Sequence, residues 1–545
     1  SSKQLGAPEV GTDPRRDPVT DAIVIGSGHA GVAAATELAR LGRSTVVVDV
    51  GRVLDEDRLR VVARLGRLDP PDWDETSVDL ISRNPTLGDP LPRRLDFGSD
   101  HVYEPDGVPP LPTVRRFPFA PVASLARGGR SNVWGAAVLP THDNDMEGWP
   151  IDRADLASHY RQVLRTMPLS GARDGLEAEF PVYRDSIDQL TIPPTAQLVL
   201  DRLESSPLTS DPDIVFGRSR LAVTGGHSSP RSCRYCGMCH SGCAYGSIDA
   251  ATHHLDPLVA SGLVEYRPGL TVRTIEETSG RVVVRCVTVD GRTERITGDR
   301  LFIAGGPIGS TRIMLETLEL WDHPVRLLST QGFVAPILVP GRVPEPTAAM
   351  TLAACFVEFR TPASPHWIHA QVSPPNELAT GRLAHLTARL HLPSGATDRI
   401  ARQFLIALCS MHSDDAGHHV LTLERDEPAG HRMVVDTVPM PSFPATARRA
   451  AEHLRRLLRQ AGLQVLPPIG PMVGPEPISW HFGGSMPMLD RREAPLDTDV
   501  LGRPRGFDRT HVVDASVLPS IPATTLALVT MANATRIVHE SVQGG

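Results

Sequence analysis

The chain has 545 residues, of which 41% are hydrophobic and 22% charged, the balance of an ordinary globular protein long enough for more than one core. A net charge of -8 argues against a nucleic-acid or anionic-membrane surface, and no apolar run approaches the roughly 18 residues of a membrane span. Four of the seven cysteines crowd into one segment, unlike the spacing of a secreted disulfide scaffold. Residues 1–17, SSKQLGAPEVGTDPRRD, read as a flexible polar tail without the apolar core of a signal peptide. The cytoplasm is therefore the expected location, with a removed leader left open because the sequence does not begin with Met.

After the tail, DAIVI is a short buried-type strand, GSGHAG sets Gly26, Gly28 and Gly31 in G-x-G-x-x-G spacing, and VAAATELARLG reads as a helix. STVVVDVG follows as a second strand carrying Asp49. Gly26 suits a tight turn, Gly28 a close approach of backbone to a pyrophosphate, and Gly31 the packing of helix on strand. The helix N-terminus faces the phosphates, and Asp49 accepts from ribose hydroxyls. Between strand and helix, with the acid following, this spacing is a strong dinucleotide signal.

Residues 52–119 are rich in Pro and Arg and read as inserted loops. ASLARGGRSNVWGAAV comes next, then GWPIDRADLASHYRQVL, where an Asp-bearing turn leads into a helix. GLTVRTIEETSGRVVVRCVTVDGRTERITGDRLFIAGG suggests a meander ending in a buried strand, with a helix starting near Ser310. Alternation in HWIHAQV, HLTARLHL and HRMVVDTV points to an antiparallel sheet with one exposed face. ATARRAAEHLRRLLRQAGL is an amphipathic helix with a Gly stop. The chain closes with ISWHFGGSMPM, HVVDASVLPS and a last helix, TLALVTMANATRIVHE.

Five blocks in this order, GSGHAG with VVVDVG, GGRSNVWGAA with GWPIDRADLASHY, RLFIAGGPIGSTRIML, SWHFGGSMPM and HVVDASVLPS, resemble the glucose–methanol–choline family of FAD-dependent oxidoreductases. The resemblance implies a mixed α/β fold: a Rossmann-like FAD-binding domain assembled from discontinuous segments (18–60, 115–165, 240–325 and 470–545). It also implies a substrate domain (61–114, 166–239 and 326–469) with inserted loops and an antiparallel sheet. Gly26, Gly28, Gly31 and Asp49 match the ADP-binding positions. Gly128, Gly129, Ser131, Asn132 and Trp134 match the glycine-rich segment that passes the pyrophosphate and flavin. Asp514 matches an acid near the ribityl chain and pyrophosphate, and Val272 is a candidate adenine contact. His481 matches the active-site histidine.

The chemistry asks for such a residue, because oxidising an alcohol removes a hydride to the flavin and leaves a hydroxyl proton that a neutral imidazole accepts. Gly483 and Gly484 suit a backbone lying close to the flavin face. Where relatives carry a second catalytic Asn or His, the ungapped slot here holds Thr525, which hydrogen-bonds but is no base at neutral pH.

CRYCGMCHSGC spaces Cys233, Cys236, Cys239 and Cys243 like a bacterial ferredoxin run, with Ala244 in place of the usual proline. Some sugar dehydrogenases of the family carry a similar string with an iron–sulfur cluster. That cluster, disulfides or plain thiols, and zinc stay open as alternatives. The resemblance implies oxidation of a CH–OH group in a sugar, an aminoglycoside of antibiotic biosynthesis, or a glycosylated natural product. Oxygen or a redox carrier is the electron acceptor. Asp414, Asp415, Glu424 and Asp426 lie where a cationic aminosugar would bind, or are ordinary surface carboxylates. An oxynitrilase-type lyase and a non-catalytic flavin protein are the alternatives, and the oligomeric state is not specified.

Overall fold

The computed structural model describes residues 20–82, 94–105, 112–226, 229–278, 280–345, 350–375, 391, 395–426, 430–468 and 471–543. The tail at 1–17 and the stretch HLTARLHL, apart from His391, lie outside them. In chain order the first elements are β1 (Thr20–Ile25), α1 (His29–Arg40), β2 (Thr45–Val48), α2 (Glu56–Leu65), α3 (Glu75–Ser82), β3 (Thr113–Arg115) and α4 (Arg153–Thr166). Next come α5 (Pro194–Glu204), β4 (Ile214–Arg218), α6 (Ala251–Ala260), β5 (Val264–Arg267), β6 (Leu270–Glu277), β7 (Val282–Thr288), β8 (Thr293–Ile303) and α7 (Gly306–Thr317). Then follow β9 (Val325–Ser329), β10 (Gln331–Leu338), β11 (Cys355–Thr361), β12 (Ser364–Ser373), α8 (Ala396–Ala401), β13 (Phe404–Met411), β14 (His418–Asp426) and β15 (Gly430–Val438). The chain ends with α9 (Phe443–Gln460), β16 (Gln464–Val465), β17 (Phe482–Gly483), β18 (Thr510–Val512) and α10 (Leu526–Gln543).

The first sheet runs β5-β2-β1-β8-β7-β6, with β18 beside β8. Its β1, β2, β5, β8 and β18 pair in parallel, as strands separated by helical crossovers do. The far end of β8 turns into the antiparallel meander with β7 and β6. Three distant stretches thus build one sheet, and the carboxyl ends of β1 and β8 open onto the glycines of the fingerprint. The helix expected near Ser310 starts earlier, at Gly306, because Pro307 fits the first turn, where no amide proton is needed.

One expectation fails outright. The segment read as loops contains α2 and α3. Asp55 caps α2 by accepting the Arg58 N–H at 3.0 Å, with Glu56 and Asp57 in the first turn and Arg64 in the last. That charge order suits the helix dipole; α2 buries little beyond Leu65, so its apolar stripe is too weak to stand out among the surrounding prolines.

The second sheet runs β16-β10-β13-β12-β11-β4 and the third β17-β9-β14-β15-β3. In β13, FLIALCSM, the two faces part cleanly: Leu405, Ala407, Cys409 and Met411 are buried, while Phe404, Ile406, Leu408 and Ser410 are half-buried. The buried face continues through Ala335, Ile337, Val357, Phe359, Ile368 and Ala370 and receives α9, which packs on β10 and β11. Phe443, Ala447, Ala450, Leu454 and Leu457 supply the matching stripe; truncating Leu454 to Ala is expected to cost about 3 kcal/mol. Cys286, Cys355 and Cys409 are fully buried core residues.

Candidate active site

The fingerprint folds as its spacing requires. Gly26 has φ +93°, and any side chain there would collide with the Ala304 carbonyl at the end of β8; one on Gly31 would collide with the Gly26 carbonyl. Gly28 has open space where its side chain would be and stands at the N-terminus of α1, which has no side-chain cap. Its first amide protons are free to meet an anion. Asp49 lies behind them, accepting from the Ser27 hydroxyl and from Tyr266 Oη at 3.4 Å. Burial pushes the Asp49 carboxyl up to about 6 against the pull of these donors and of the Gly51 and Ser27 amides. Leu270 N–H donates to the Asp49 carbonyl at 3.0 Å, and Val272 is buried two residues on. Beside them a cleft of about 690 Å³ is lined by Tyr266, Pro268, Leu270 and Val289.

The segment 128–134 spans from this nucleotide end to the histidine loop. Gly128 (φ +86°) donates its N–H to Ser27 Oγ at 2.9 Å, and a side chain on Gly129 would press on Gly28 at 3.3 Å. Ser131 and Asn132 spend their side chains on the loop itself: Ser131 Oγ donates to the Gly128 carbonyl and accepts the Ala251 N–H, and Asn132 donates to Arg127 and Gly129. Trp134 donates to the Asp249 carbonyl at 2.7 Å and meets the His29 ring edge-on at 4.5 Å. At the other end Arg130 lies over the Phe482 ring, 4.8 Å from its centroid. His29 and Ser27 sit inside GSGHAG, but only the glycines of that string carry a spacing signal.

His481 is held by its main chain. Its N–H donates to Ser479 Oγ at 3.0 Å, and its carbonyl accepts the Thr330 N–H at 3.0 Å. The side chain is half-buried, and desolvation, with the charges of His369 and Arg130, pushes its pKa down to about 4, so the imidazole is neutral at physiological pH. After it, Gly484, Met486 and Met488 donate N–H groups to the carbonyls of Ala515, Ser516 and Val517. That ladder docks the loop on Asp514, which is buried and accepts from Ser310 Oγ at 2.5 Å and from the Ser516 amide at 2.9 Å. Burial raises the Asp514 carboxyl. Next to it, Val513 N–H donates to the Ile303 carbonyl at the end of β8. The two ends of the chain therefore meet at β8.

The chain itself also requires the glycine pair. A side chain on Gly483 would strike the Ala515 carbonyl, and one on Gly484 (φ +67°) would press on Leu328 at 2.7 Å. The close approach they allow is to the chain's own 515–518 segment. Thr525 is buried, with its Oγ1 accepting the Leu139 N–H at 3.3 Å, and among the described residues no hydrogen bond joins it to His481. Asp414, Asp415 and Glu424 are also engaged, by His366 and His412, by Ser364, and by Arg432 respectively; the Asp426 side chain lies outside the described residues.

Cys233, Cys236, Cys239 and Cys243 line one enclosed cavity with Val223, Ile248, Met350 and Leu352. None is in a disulfide. Ser247 N–H donates to Cys243 Sγ at 3.2 Å, and burial pushes the Cys233 and Cys236 thiols up to about 11 and 12. Arg94, half-buried and in electrostatic interaction with Cys239, donates to the Trp134 carbonyl at 2.9 Å, so the cavity abuts the glycine-rich segment. Arg94 carried no motif in the sequence. Among the described residues the one trio of metal-ligating atoms within 4.8 Å of one another is Asp145, His366 and His412. The cysteine sulfurs are spread wider than one tetrahedral zinc demands.

None of the curated proteins matches this sequence significantly. Residues 21–55 match the model of a FAD binding domain. Among solved structures the fold is similar to pyridoxine 4-oxidase from Mesorbium loti, at TM-score 0.56 and 14% identity, over 95% of this chain and 98% of that one. Matching structures number 699 chains, so the fold by itself selects no substrate. Among the described residues no helix is long and apolar enough to cross a membrane. The uncapped helix over a glycine fingerprint, the acid behind it and the matched domain agree on a FAD-binding segment at residues 21–55, carried by a chain with the overall fold of that oxidase.

Proposed function

We propose that the protein oxidises a CH–OH group of a hydroxyl-rich small molecule, a sugar, aminoglycoside or glycosylated natural product. The observation that carries this reading is His481: a neutral, half-buried imidazole on a loop tied to the first sheet beside Asp514 and to Thr330 ahead of β10. FAD supplies the hydride acceptor. Gly26, Gly28, Gly31, Gly128 and Gly129 let the backbone approach the cofactor. Asp49 takes the ribose hydroxyls, Asp514 orients the amides beside the ribityl chain, and Val272 borders the adenine. His481 takes the hydroxyl proton, and Thr525 shapes the pocket by holding Leu139. The name of the solved relative, a pyridoxine oxidase, supports a small-molecule substrate. The test is anaerobic mixing of the purified flavoprotein with sugars, aminoglycosides and simple alcohols. Bleaching of the visible flavin band is expected with at least one; an unbleached flavin with all of them returns the lyase reading.

We also read the four cysteines as the seat of an iron–sulfur cluster, because they share one cavity, form no disulfide and are too widely spread for zinc. Such a cluster would give electrons a route other than oxygen. Arg94 offsets its negative charge and links the cavity to Trp134. Iron analysis after anaerobic purification tests this: several irons per chain support it, and none removes it.

A further inference from the structure

The chain around the cysteine cavity turns back on itself at Gly246. At φ +63° it donates its N–H to the Cys243 carbonyl at 2.9 Å, and that tight turn presents the next amide, of Ser247, to Cys243 Sγ at 3.2 Å. Thr224 fixes the other side. Its N–H donates to the Ser247 carbonyl at 2.9 Å, and its own carbonyl accepts the Cys233 N–H at 2.9 Å. Ser247 is thereby pinned between the first and last cysteines of the string.

Its main chain is satisfied, but its side chain is not. Ser247 lines the cavity with all four cysteines and is 1% exposed, yet among the described residues its Oγ has no hydrogen-bond partner. Val223, Ile248, Met350 and Leu352 beside it are apolar, and Tyr245 spends its hydroxyl on the Leu68 carbonyl at 2.8 Å. A buried hydroxyl without a partner costs folding free energy that an alanine in its place does not. The cavity therefore asks for an acceptor inside it. The main chain leans the same way: burial raises the Cys233 and Cys236 thiols, and the amides of Tyr235 and Met238 work against it by favouring the thiolates.

We propose that the Ser247 hydroxyl donates a hydrogen bond to a sulfur of the iron–sulfur cluster and so holds the reduction potential of that cluster up. The inference rests on the reading of the four cysteines as a cluster seat. Reduction adds negative charge that spreads onto the sulfurs, so a donor aimed at one of them stabilises the reduced form more than the oxidised form. The Ser247 amide, already on Cys243 Sγ, is a second donor from the same residue. The position bears on electron flow as well. Two residues on, the Asp249 carbonyl accepts Trp134 Nε1 at 2.7 Å, so the stretch 247–249 joins the cavity to the glycine-rich segment. The potential set at Ser247 then decides how readily electrons leave the reduced flavin for the cluster.

The test is an anaerobic dithionite titration of the wild-type holoenzyme and of Ser247→Ala, Ser247→Gly and Ser247→Thr, followed by low-temperature EPR and iron analysis. We expect the same iron content in all four and an unchanged bound FAD spectrum. The midpoint potential of the cluster should fall in the Ala and Gly variants, and the Thr variant, which keeps a hydroxyl, should retain the wild-type value. A role in packing alone moves none of these potentials. One potential shared by all four iron-loaded proteins overturns the donor role and leaves the cluster standing. Loss of iron from Ala and Gly but not from Thr makes Oγ a ligand and overturns the donor role too, and loss from all three variants overturns it as a packing requirement. A wild-type protein without iron overturns the cluster reading, and this inference with it, while the flavin chemistry is untouched.

Discussion

The nucleotide end and the sheet above the histidine loop are built from different materials. At the nucleotide end, contacts come from main-chain amides and missing side chains: Gly26, Gly28, Gly31 and Gly129 bring three segments together because nothing projects between them. In the second sheet, Glu358 and His369 meet through side chains placed by strand register. A backbone site is set by local spacing and tolerates almost no added atom. A side-chain site tolerates change of shape but depends on charge and tautomer. The two halves should therefore fail in different ways.

The largest effect is expected at His481. His481→Ala should lower the rate of flavin reduction by an alcohol about 10³-fold while the bound FAD spectrum is unchanged; loss of FAD instead would assign the histidine to the cofactor seat. Gly31→Ala breaks the opposite half, since its methyl meets the Gly26 carbonyl. We expect loss of FAD and about 3 kcal/mol of stability, read by thermal unfolding with and without added FAD.

Asp49→Asn separates cofactor binding from folding. The Asp49 carboxyl is raised from 3.8 to about 6, so the folded apoprotein favours its protonated form. Its contribution to stability is present in full below the lower value and is lost as pH rises through about 6. The neutral variant should weaken FAD binding roughly tenfold, yet leave the apoprotein at neutral pH no less stable than wild type.

His366 supplies a pH signature in the substrate half. Burial lowers its pKa, but hydrogen bonds to Asp145 and Asp414 outweigh that and raise it from 6.5 to about 9. Its stabilising contribution is complete below pH 6.5 and fades as pH rises through about 9. His366→Leu should cost about 2 kcal/mol at pH 6, a gap that narrows in thermal melts toward pH 10. The smallest change is Thr525→Val. Leaving the Leu139 amide unpaired should cost about 1 kcal/mol, with flavin reduction within about threefold of wild type. A drop as large as that of His481→Ala would make Thr525 a catalytic residue.

The reach of the sequence follows the same division. Gly26, Gly31 and Asp49 were legible because their roles depend on neighbours a few residues away, and HWIHAQV and HRMVVDTV were legible as strands of antiparallel sheet. α2 was missed because its evidence lay in capping and charge order rather than in an apolar stripe. The glycine pair after His481 was noticed, but its crowding against the chain itself shows only in the ladder from 484 to 517. Arg94 and the Glu358–His369 pair carry no local signature.

By itself the sequence determined the strand–glycine–helix unit, the acid behind it, the helix α9 with its stripe, and the presence of a histidine loop near the end, because periodicity and backbone sterics act over a few residues. The tertiary structure decided which distant segments share β8, that the His481 carbonyl meets Thr330 between β9 and β10, and that Glu358 meets His369. Strand register and burial depend on the packing of whole elements, and shifting one strand by a single residue would turn every one of those side chains to the other face.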